Sequence, residues 1–279
     1  MTREEKLQSI LAKNEYRVED LVTIVELLRL PGGCPWDREQ THESLRGGFI
    51  EETYEVIEAI DKGDTALLRE ELGDVLLQVV MHSQIEREAG RFTIDDVAND
   101  ICRKMMHRHP HVFGDVKADS VDEVLSNWES IKNEEKSRNT VTDKLNAIPR
   151  QFPALMRAAK VGKKASVFDF PNISSVIEKV REELLEVEAA LALKNGDDVM
   201  EEIGDLLLSV ASLSRLAGVS PEEALTRATD KFIDRFTKVE AAAADLGLDL
   251  AEMSEEEKEN LKEELEELNK IVETFRNLL

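Results

Sequence analysis

The sequence is short of the residues that build cross-linked, loop-rich or aromatic folds. Its 279 residues include two cysteines, Cys34 and Cys102, seven prolines, thirteen glycines and 5% aromatics. Two thiols make no disulfide framework and suit a reducing compartment. Scarce glycine and proline leave little material for turns, and so few aromatics serve a β-sandwich badly. No apolar run approaches the roughly 20 residues of a membrane helix. The opening Met1-Thr2-Arg3-Glu4-Glu5-Lys6 starts a charged stretch without an apolar signal core. The expectation is a soluble, cytoplasmic chain. Basic residues are also in deficit: 36 Lys and Arg face 59 Asp and Glu, a formal charge of -23. Such a field repels DNA, RNA and anionic membranes, so neither nucleic acid nor membrane is expected as a partner. An anionic substrate stays open, because a bound divalent cation reverses the local field.

What is present points to helices. Hydrophobic residues make up 42% and charged residues 34% of the chain, a mix typical of helical proteins with long solvated faces. A repeat then organises it. Glu51-Glu52-Thr53-Tyr54-Glu55-Val56-Ile57-Glu58-Ala59 returns 131 positions later as Glu182-Glu183-Leu184-Leu185-Glu186-Val187-Glu188-Ala189-Ala190. The same shift carries Glu70-Glu71-Leu72-Gly73-Asp74 onto Glu201-Glu202-Ile203-Gly204-Asp205. Trp36-Asp37 has a near counterpart in Phe168-Asp169, and the Lys104/Arg108 pair is echoed by Lys231/Arg235. The chain therefore reads as two homologous halves, 1–135 and 153–279, joined by a polar, proline-marked linker over 136–152.

Each half is expected to be an all-α bundle of about four helices. Leu21, Ile24, Val25 and Leu28 share one face of an early helix, which Pro31-Gly32-Gly33 stops. Ser120-x-x-Glu123, Ser175-x-x-Glu178, Ser220-x-x-Glu223 and Ser254-x-x-Glu257 read as capping boxes at helix starts. From Glu252 on, Leu261, Leu265, Leu268, Val272, Phe275 and Leu279 make an apolar stripe, which predicts a C-terminal amphipathic helix docking on a neighbour or a second subunit.

The chemistry lies in the carboxylates. Glu52 and Glu55 are three apart, so on a helix they share a face. Glu71 and Asp74 do the same on the next helix, after a short turn around Asp61-Lys62-Gly63-Asp64 that makes the two helices antiparallel. Glu183, Glu186, Glu202 and Asp205 repeat the set. A lone Glu-x-x-Glu in so acidic a chain is more often a solvated face. These acids lie instead within apolar helices, among Tyr54, Val56, Ile57, Leu72, Val75, Leu76 and Leu77. Converging carboxylates repel by roughly several kcal/mol per close pair, and a hard divalent cation removes that cost. Oxygen-only ligands favour magnesium, with manganese as the alternative. All five histidines and both tryptophans lie in the first half, and neither repeat has the Glu-x-x-His pair of di-iron bundles. Chemistry common to both halves therefore needs no His, Trp or Cys. Gly73 and Gly204 each cost about 1 kcal/mol in a helix interior, so a close helix approach is expected beside them. Lys104/Arg108 and Lys231/Arg235 are spaced to offer two cations on one helix face, suited to phosphate oxygens. The plainer reading of each pair is ordinary surface ion pairing.

Several stretches now resemble the MazG nucleotide pyrophosphohydrolases. They are Gly33-Cys34-Pro35-Trp36-Asp37, Gln40-Thr41-His42 with Leu45, Arg108-His109-Pro110-His111-Val112-Phe113-Gly114, Trp128-Glu129-x-x-Lys132, Lys163-Lys164-Ala165, Phe168-Asp169 and the carboxylate sets. The resemblance implies an all-α, dimeric, magnesium-dependent enzyme that cleaves nucleoside triphosphates to the monophosphate and pyrophosphate, in the service of nucleotide-pool house-cleaning. It implies that the second half is the active one. There Glu183, Glu186, Glu202 and Asp205 would hold the metal, Lys231 and Arg235 the phosphates, and Lys179 and Glu182 would line the nucleotide site. The family often carries a tryptophan late in the second half; the matching stretch, Ser254 to Glu266, offers Leu261 instead. Broad base specificity is therefore expected. Two alternatives stay open: a selective dUTP or dCTP pyrophosphatase, and a non-catalytic, nucleotide-sensing regulatory dimer.

Overall fold

The computed structural model describes residues 1–135, 140–166, 170–193 and 196–245, and beyond them the single residues Gly247, Met253, Ser254 and Asn260. Among these residues the chain is helical, with no strand. It divides into two compact units, Met1–Glu135 and Lys136–Leu279. The first holds α1 (Arg3–Leu11), α2 (Val18–Arg29), α3 (Pro35–Glu39), α4 (His42–Lys62), α5 (Thr65–Glu88), α6 (Ile94–Arg108), α7 (Pro110–Phe113) and α8 (Val121–Glu135). The second holds α9 (Val141–Asn146), α10 (Ala154–Lys164), α11 (Ile173–Leu193), α12 (Gly196–Leu216) and α13 (Pro221–Asp245). The expected pair of helical bundles is thus present: among the described residues, five helices longer than ten residues build the first and four the second. The stretch expected as a linker carries the short helix α9, which packs on α10.

In the first unit α4 and α5 form the central pair. Gly63 ends α4 in the left-handed region at φ 64°, where a side chain would be strained. Asp64 follows at once, and its carboxylate accepts from the N–H groups of Ala66 and Leu67, capping α5. This turn makes the two helices antiparallel neighbours. At the end of α2 a second glycine is obligatory for a different reason: a Cβ on Gly33 would lie 2.2 Å from the Leu28 carbonyl oxygen. The core gathers Val25, Leu45, Val80 and Met81, with Leu21, Val22, Leu76, Leu77, Ile85 and Ile94 packed against it. Each large apolar side chain fully buried there contributes about 1.5–3 kcal/mol.

The second unit pairs α11 with α12 in the same way, but its buried apolar residues are small: Val176, Val187, Ala190, Ala211 and Ala243. Its large apolar side chains point outward. Leu185 on α11, Leu207 on α12 and Phe232, Ile233 and Phe236 on α13 are each about half exposed or more.

Two of the expected capping serines stand where the pattern put them: Ser120 and Ser220 precede α8 and α13 and accept from the N–H groups of Glu123 and Glu223. Ser175 does not. α11 begins three residues earlier than a Ser175 cap would allow, because Asn172 takes the cap and accepts from both the N–H and the hydroxyl of Ser175. Glu257, the second half of the pattern at Ser254, and the apolar stripe from Leu261 to Leu279 lie outside the described residues, as does Phe168-Asp169. Among the described residues no single helix is long and apolar enough to cross a membrane.

Candidate metal centre

The antiparallel pairing of α4 with α5 brings Glu52, Glu55 and Glu71 together. Each offers one carboxylate oxygen, and these oxygens all lie within 4.8 Å of one another. In the second unit α11 and α12 do the same with Glu183, Glu186 and Glu202. Glu71 and Glu183 are buried. The two aspartates stand apart from these triads. Asp74 is close enough to Glu52 for its charge to be felt there, and Asp205 is exposed on α12.

The electrostatics fit a cation-binding centre. Burial, then the charges of Asp74 and Glu55, push the Glu52 carboxyl above the ordinary glutamate range. Burial, then Glu55, does the same to Glu71. A hydrogen bond with Glu183, then burial, raises Glu186. Groups held against ionisation by one another are the signature of a site that gains from a divalent cation. The donor set is all oxygen, which suits a hard ion.

The clusters differ in what borders them. In the second unit Lys179 Nζ lies 2.7 Å from Glu182 Oε1 and 2.7 Å from Glu183 Oε1, and these bonds raise the lysine pKa. Lys179 and Glu182, both expected at the nucleotide site, thus meet at the edge of the carboxylate cluster. In the first unit no cation pairs with Glu52, Glu55 or Glu71 among the described residues; Lys62 pairs with Glu58. Gln78 stands near enough to Glu52 to offset part of the rise in its carboxyl.

The basic pairs fare unequally. Lys231 and Arg235 are exposed on α13, and among the described residues neither forms a hydrogen bond or ion pair. Lys104 is exposed too, but Arg108 is buried. Its guanidinium donates to both carboxylate oxygens of Glu135 and lies over the Trp128 ring, 5.3 Å from the centroid. His109 meets the same ring edge-on at 4.9 Å. The Arg108-His109-Pro110-His111 motif thereby joins α6 to α8, and Arg108 is committed to that junction. The expected close helix approach at Gly73 and Gly204 is also corrected: a Cβ at either position would meet nothing within 4 Å in this chain.

Sequence reasoning missed a polar seam that runs from the first cluster along α4 and α5. Beyond Gln78 come His82, His42, Glu86 and Arg91. His42 Nδ1 lies 2.7 Å from His82 Nδ1, His42 Nε2 lies 2.5 Å from Glu86 Oε1, and Arg91 donates twice to Glu86. The signal was available: Asp74, Gln78, His82 and Glu86 recur every fourth residue and so share a face of α5.

Comparison with known proteins agrees with the duplicated architecture. Residues 40–113 and 172–240 each match the MazG nucleotide pyrophosphohydrolase domain. The chain is 47% identical over 237 residues to the nucleoside triphosphate pyrophosphohydrolase/pyrophosphatase MazG of Thermotoga maritima, covering 84% of this chain and 90% of that protein. It is 44% identical over 239 residues to a nucleoside triphosphate pyrophosphohydrolase of Escherichia coli K12, covering 84% and 91%. A protein of the same description from Mycolicibacterium smegmatis is 36% identical over 220 residues, covering 70% and 67%.

Proposed function

The chain belongs to the MazG nucleotide pyrophosphohydrolase family, and from that membership we propose that it hydrolyses nucleoside triphosphates to the nucleoside monophosphate and pyrophosphate, with Mg²⁺ as the working ion and Mn²⁺ as a substitute. The observation that carries the reading is the recurrence of one converging carboxylate triad in both units.

In the second unit Glu183, Glu186 and Glu202 would hold the cation, with Asp205 closing the set from one turn beyond Glu202. The ion supplies charge neutralisation and polarisation of phosphate oxygens. Lys179, at the rim of the triad, and Lys231 and Arg235, unpaired on α13, orient the anionic substrate and offset charge that develops on the phosphoryl oxygens. A cluster carboxylate accepts the proton of the attacking water. The bond broken joins the α-phosphorus to the bridging oxygen, which leaves on pyrophosphate.

The working form is proposed to be a homodimer. Leu184, Leu185, Ile203, Leu207, Phe232 and Phe236 are 43–68% exposed, more apolar surface than a soluble monomer ordinarily leaves bare. Gly73 and Gly204, each with open space where a Cβ would stand, lie beside Leu72 and Ile203 and leave room for a second copy to approach. The charge of -23 and the free thiols Cys34 and Cys102 support a cytoplasmic setting.

Product analysis tests the activity. With Mg²⁺ and any common nucleoside triphosphate, the expected products are the monophosphate and pyrophosphate. Release of orthophosphate, or no turnover, overturns the reading. Glu183→Gln and Asp205→Asn should each lower kcat/KM by more than about 100-fold with helicity unchanged, because even the outer partners of metal ligands are worth ~10–100-fold.

A further inference from the structure

The duplication permits a position-by-position comparison of the two clusters. The 131-residue shift that superposes the ligands places Lys179 opposite Gly48 and Ser209 opposite Gln78. These two positions exchange roles between the units. In the second, the long side chain comes from α11: Lys179 reaches Glu183, and α12 offers only Ser209. In the first, it comes from α5: Gln78 reaches Glu52, and α4 offers only Gly48. The two positions share one space, since a Cβ on Gly48 would stand 3.2 Å from Gln78 Nε2 and the amide would have to shift to make room. One side chain fills each gap, but a cation fills the second and a neutral amide the first.

The consequences for a divalent cation are opposite. Lys179 is bonded to Glu183 Oε1, the innermost ligand of its cluster, so an ion drawing on that oxygen competes with the ammonium. The first cluster has no such competitor among the described residues. It has Asp74 close by and a buried Gln78 Oε1 without a hydrogen-bond partner, an oxygen of the kind hard cations accept. An anionic ligand that takes up the Lys179 ammonium would free Glu183 for the ion. Coupling of that kind is reciprocal.

We infer that the two clusters hold divalent cations by different rules: the first binds its ion tightly without nucleotide, and the second binds its ion weakly until a nucleotide phosphate draws Lys179 from Glu183. The inference rests on the reading of both clusters as metal sites. It makes Lys179 the residue that couples metal to substrate in one half, and Gly48 with Gln78 the reason the other half lacks that coupling.

The test is Mn²⁺ binding to the full chain, followed by electron paramagnetic resonance, with one cluster silenced at a time. Glu202→Gln leaves the first cluster and Glu71→Gln the second, and far-UV circular dichroism checks both folds. With Mn²⁺ alone, the first cluster should bind at least tenfold more tightly. Adding Lys179→Met to the Glu71→Gln chain should strengthen the second cluster by at least tenfold. The α,β-imido analogue of ATP should tighten Mn²⁺ at the second cluster beyond the ion it sequesters itself, and Lys179→Met should abolish that gain. Equal affinities for Mn²⁺, or a Lys179→Met chain that binds it no more tightly, overturn this inference while leaving the metal sites standing. Absence of Mn²⁺ binding at both clusters overturns the metal reading as well.

Discussion

His42 and His82 meet nitrogen to nitrogen, their Nδ1 atoms 2.7 Å apart and their rings stacked with centroids separated by 5.0 Å. One nitrogen must donate and the other accept. Glu86, 2.5 Å from His42 Nε2, accepts there, so in the neutral His42 ring Nδ1 is the acceptor and His82 Nδ1 the donor. At the matching positions the second unit has Ile173, Leu213 and Ala217, so the same helix pair is joined by a charged relay in one unit and by apolar packing in the other.

The relay gives the first unit a dependence on pH. Hydrogen bonds from Arg91 hold the Glu86 carboxyl down at about 2, against burial and with help from His42. Burial, then the charge of His42, lowers His82. Both folded-state values lie below the unfolded ones, so both contributions are present at higher pH and are lost on acidification. For Glu86 the loss falls between the ordinary glutamate value and about 2. Glu86→Gln should therefore lower resistance to urea near pH 7, and the gap to the parent should narrow as the pH drops below about 4. A gap of constant size would show that Glu86 acts by shape alone. His42→Ile, His82→Leu and Glu86→Ala together, which copy the second unit, should be less disruptive than Glu86→Ala by itself, because the single change leaves the histidines and Arg91 without their anion.

The carboxylate cluster makes the opposite demand. Glu52 and Glu71 have raised folded-state values, so their burden on stability is absent at low pH and grows as pH rises through those values. In EDTA at neutral pH, Glu71→Gln should unfold at a higher temperature than the parent. With saturating Mg²⁺ the order should reverse, because the parent then gains the binding free energy of the ion. A variant less stable than the parent in EDTA would mean that the acids are held by something other than a cation.

Much of this was legible in the sequence, for identifiable reasons. The convergence of the carboxylates could be read because i, i+3 spacing and a short turn constrain helical side chains strongly: Glu52, Glu55 and Glu71 come together as the spacing requires. Asp205 follows the same spacing and still stands outside its triad, since spacing fixes a helix face and not the reach of a side chain. Arg108 and Arg235 look alike in sequence, yet Arg108 is buried against Glu135 and Trp128, partners that are not local in the chain. Gly48 was unreadable without Gln78, because its reason lies on the neighbouring helix.

Assembly should depend on the bare face of α13. Phe232→Asp with Phe236→Asp should weaken self-association by at least roughly 100-fold, since each buried aromatic contributes about 1.5–3 kcal/mol. Sedimentation velocity of parent and variant at matched concentrations reads this directly. Gly204→Leu should weaken the assembly too, while raising the helical propensity of α12. A parent chain that sediments as a monomer would remove the dimer from the account.

Leu261, where relatives of this kind often carry tryptophan, lies outside the described residues, so its consequence must be read from kinetics. Catalytic efficiencies for the common nucleoside and deoxynucleoside triphosphates should agree within about tenfold, because one apolar side chain discriminates by only ~1–3 kcal/mol. A preference above roughly a thousandfold for dUTP or dCTP would favour the selective pyrophosphatase instead.

The first unit should also act on nucleotides, though weakly. Its triad is as complete as that of the second unit, and the charge of Asp74 is felt at Glu52. A unit kept only for assembly would have no physical reason to hold repelling carboxylates together. Its phosphate contacts are poorer: Arg108 is committed to Glu135, and Gly48 stands where the second unit has Lys179. Binding of the ion should therefore survive better than turnover. The chain carrying Glu183→Gln and Glu202→Gln should retain slow, Mg²⁺-dependent pyrophosphate release that vanishes when Glu52→Gln is added. If the double variant releases none, and calorimetry of that same chain detects no Mg²⁺ binding, the first unit is structural.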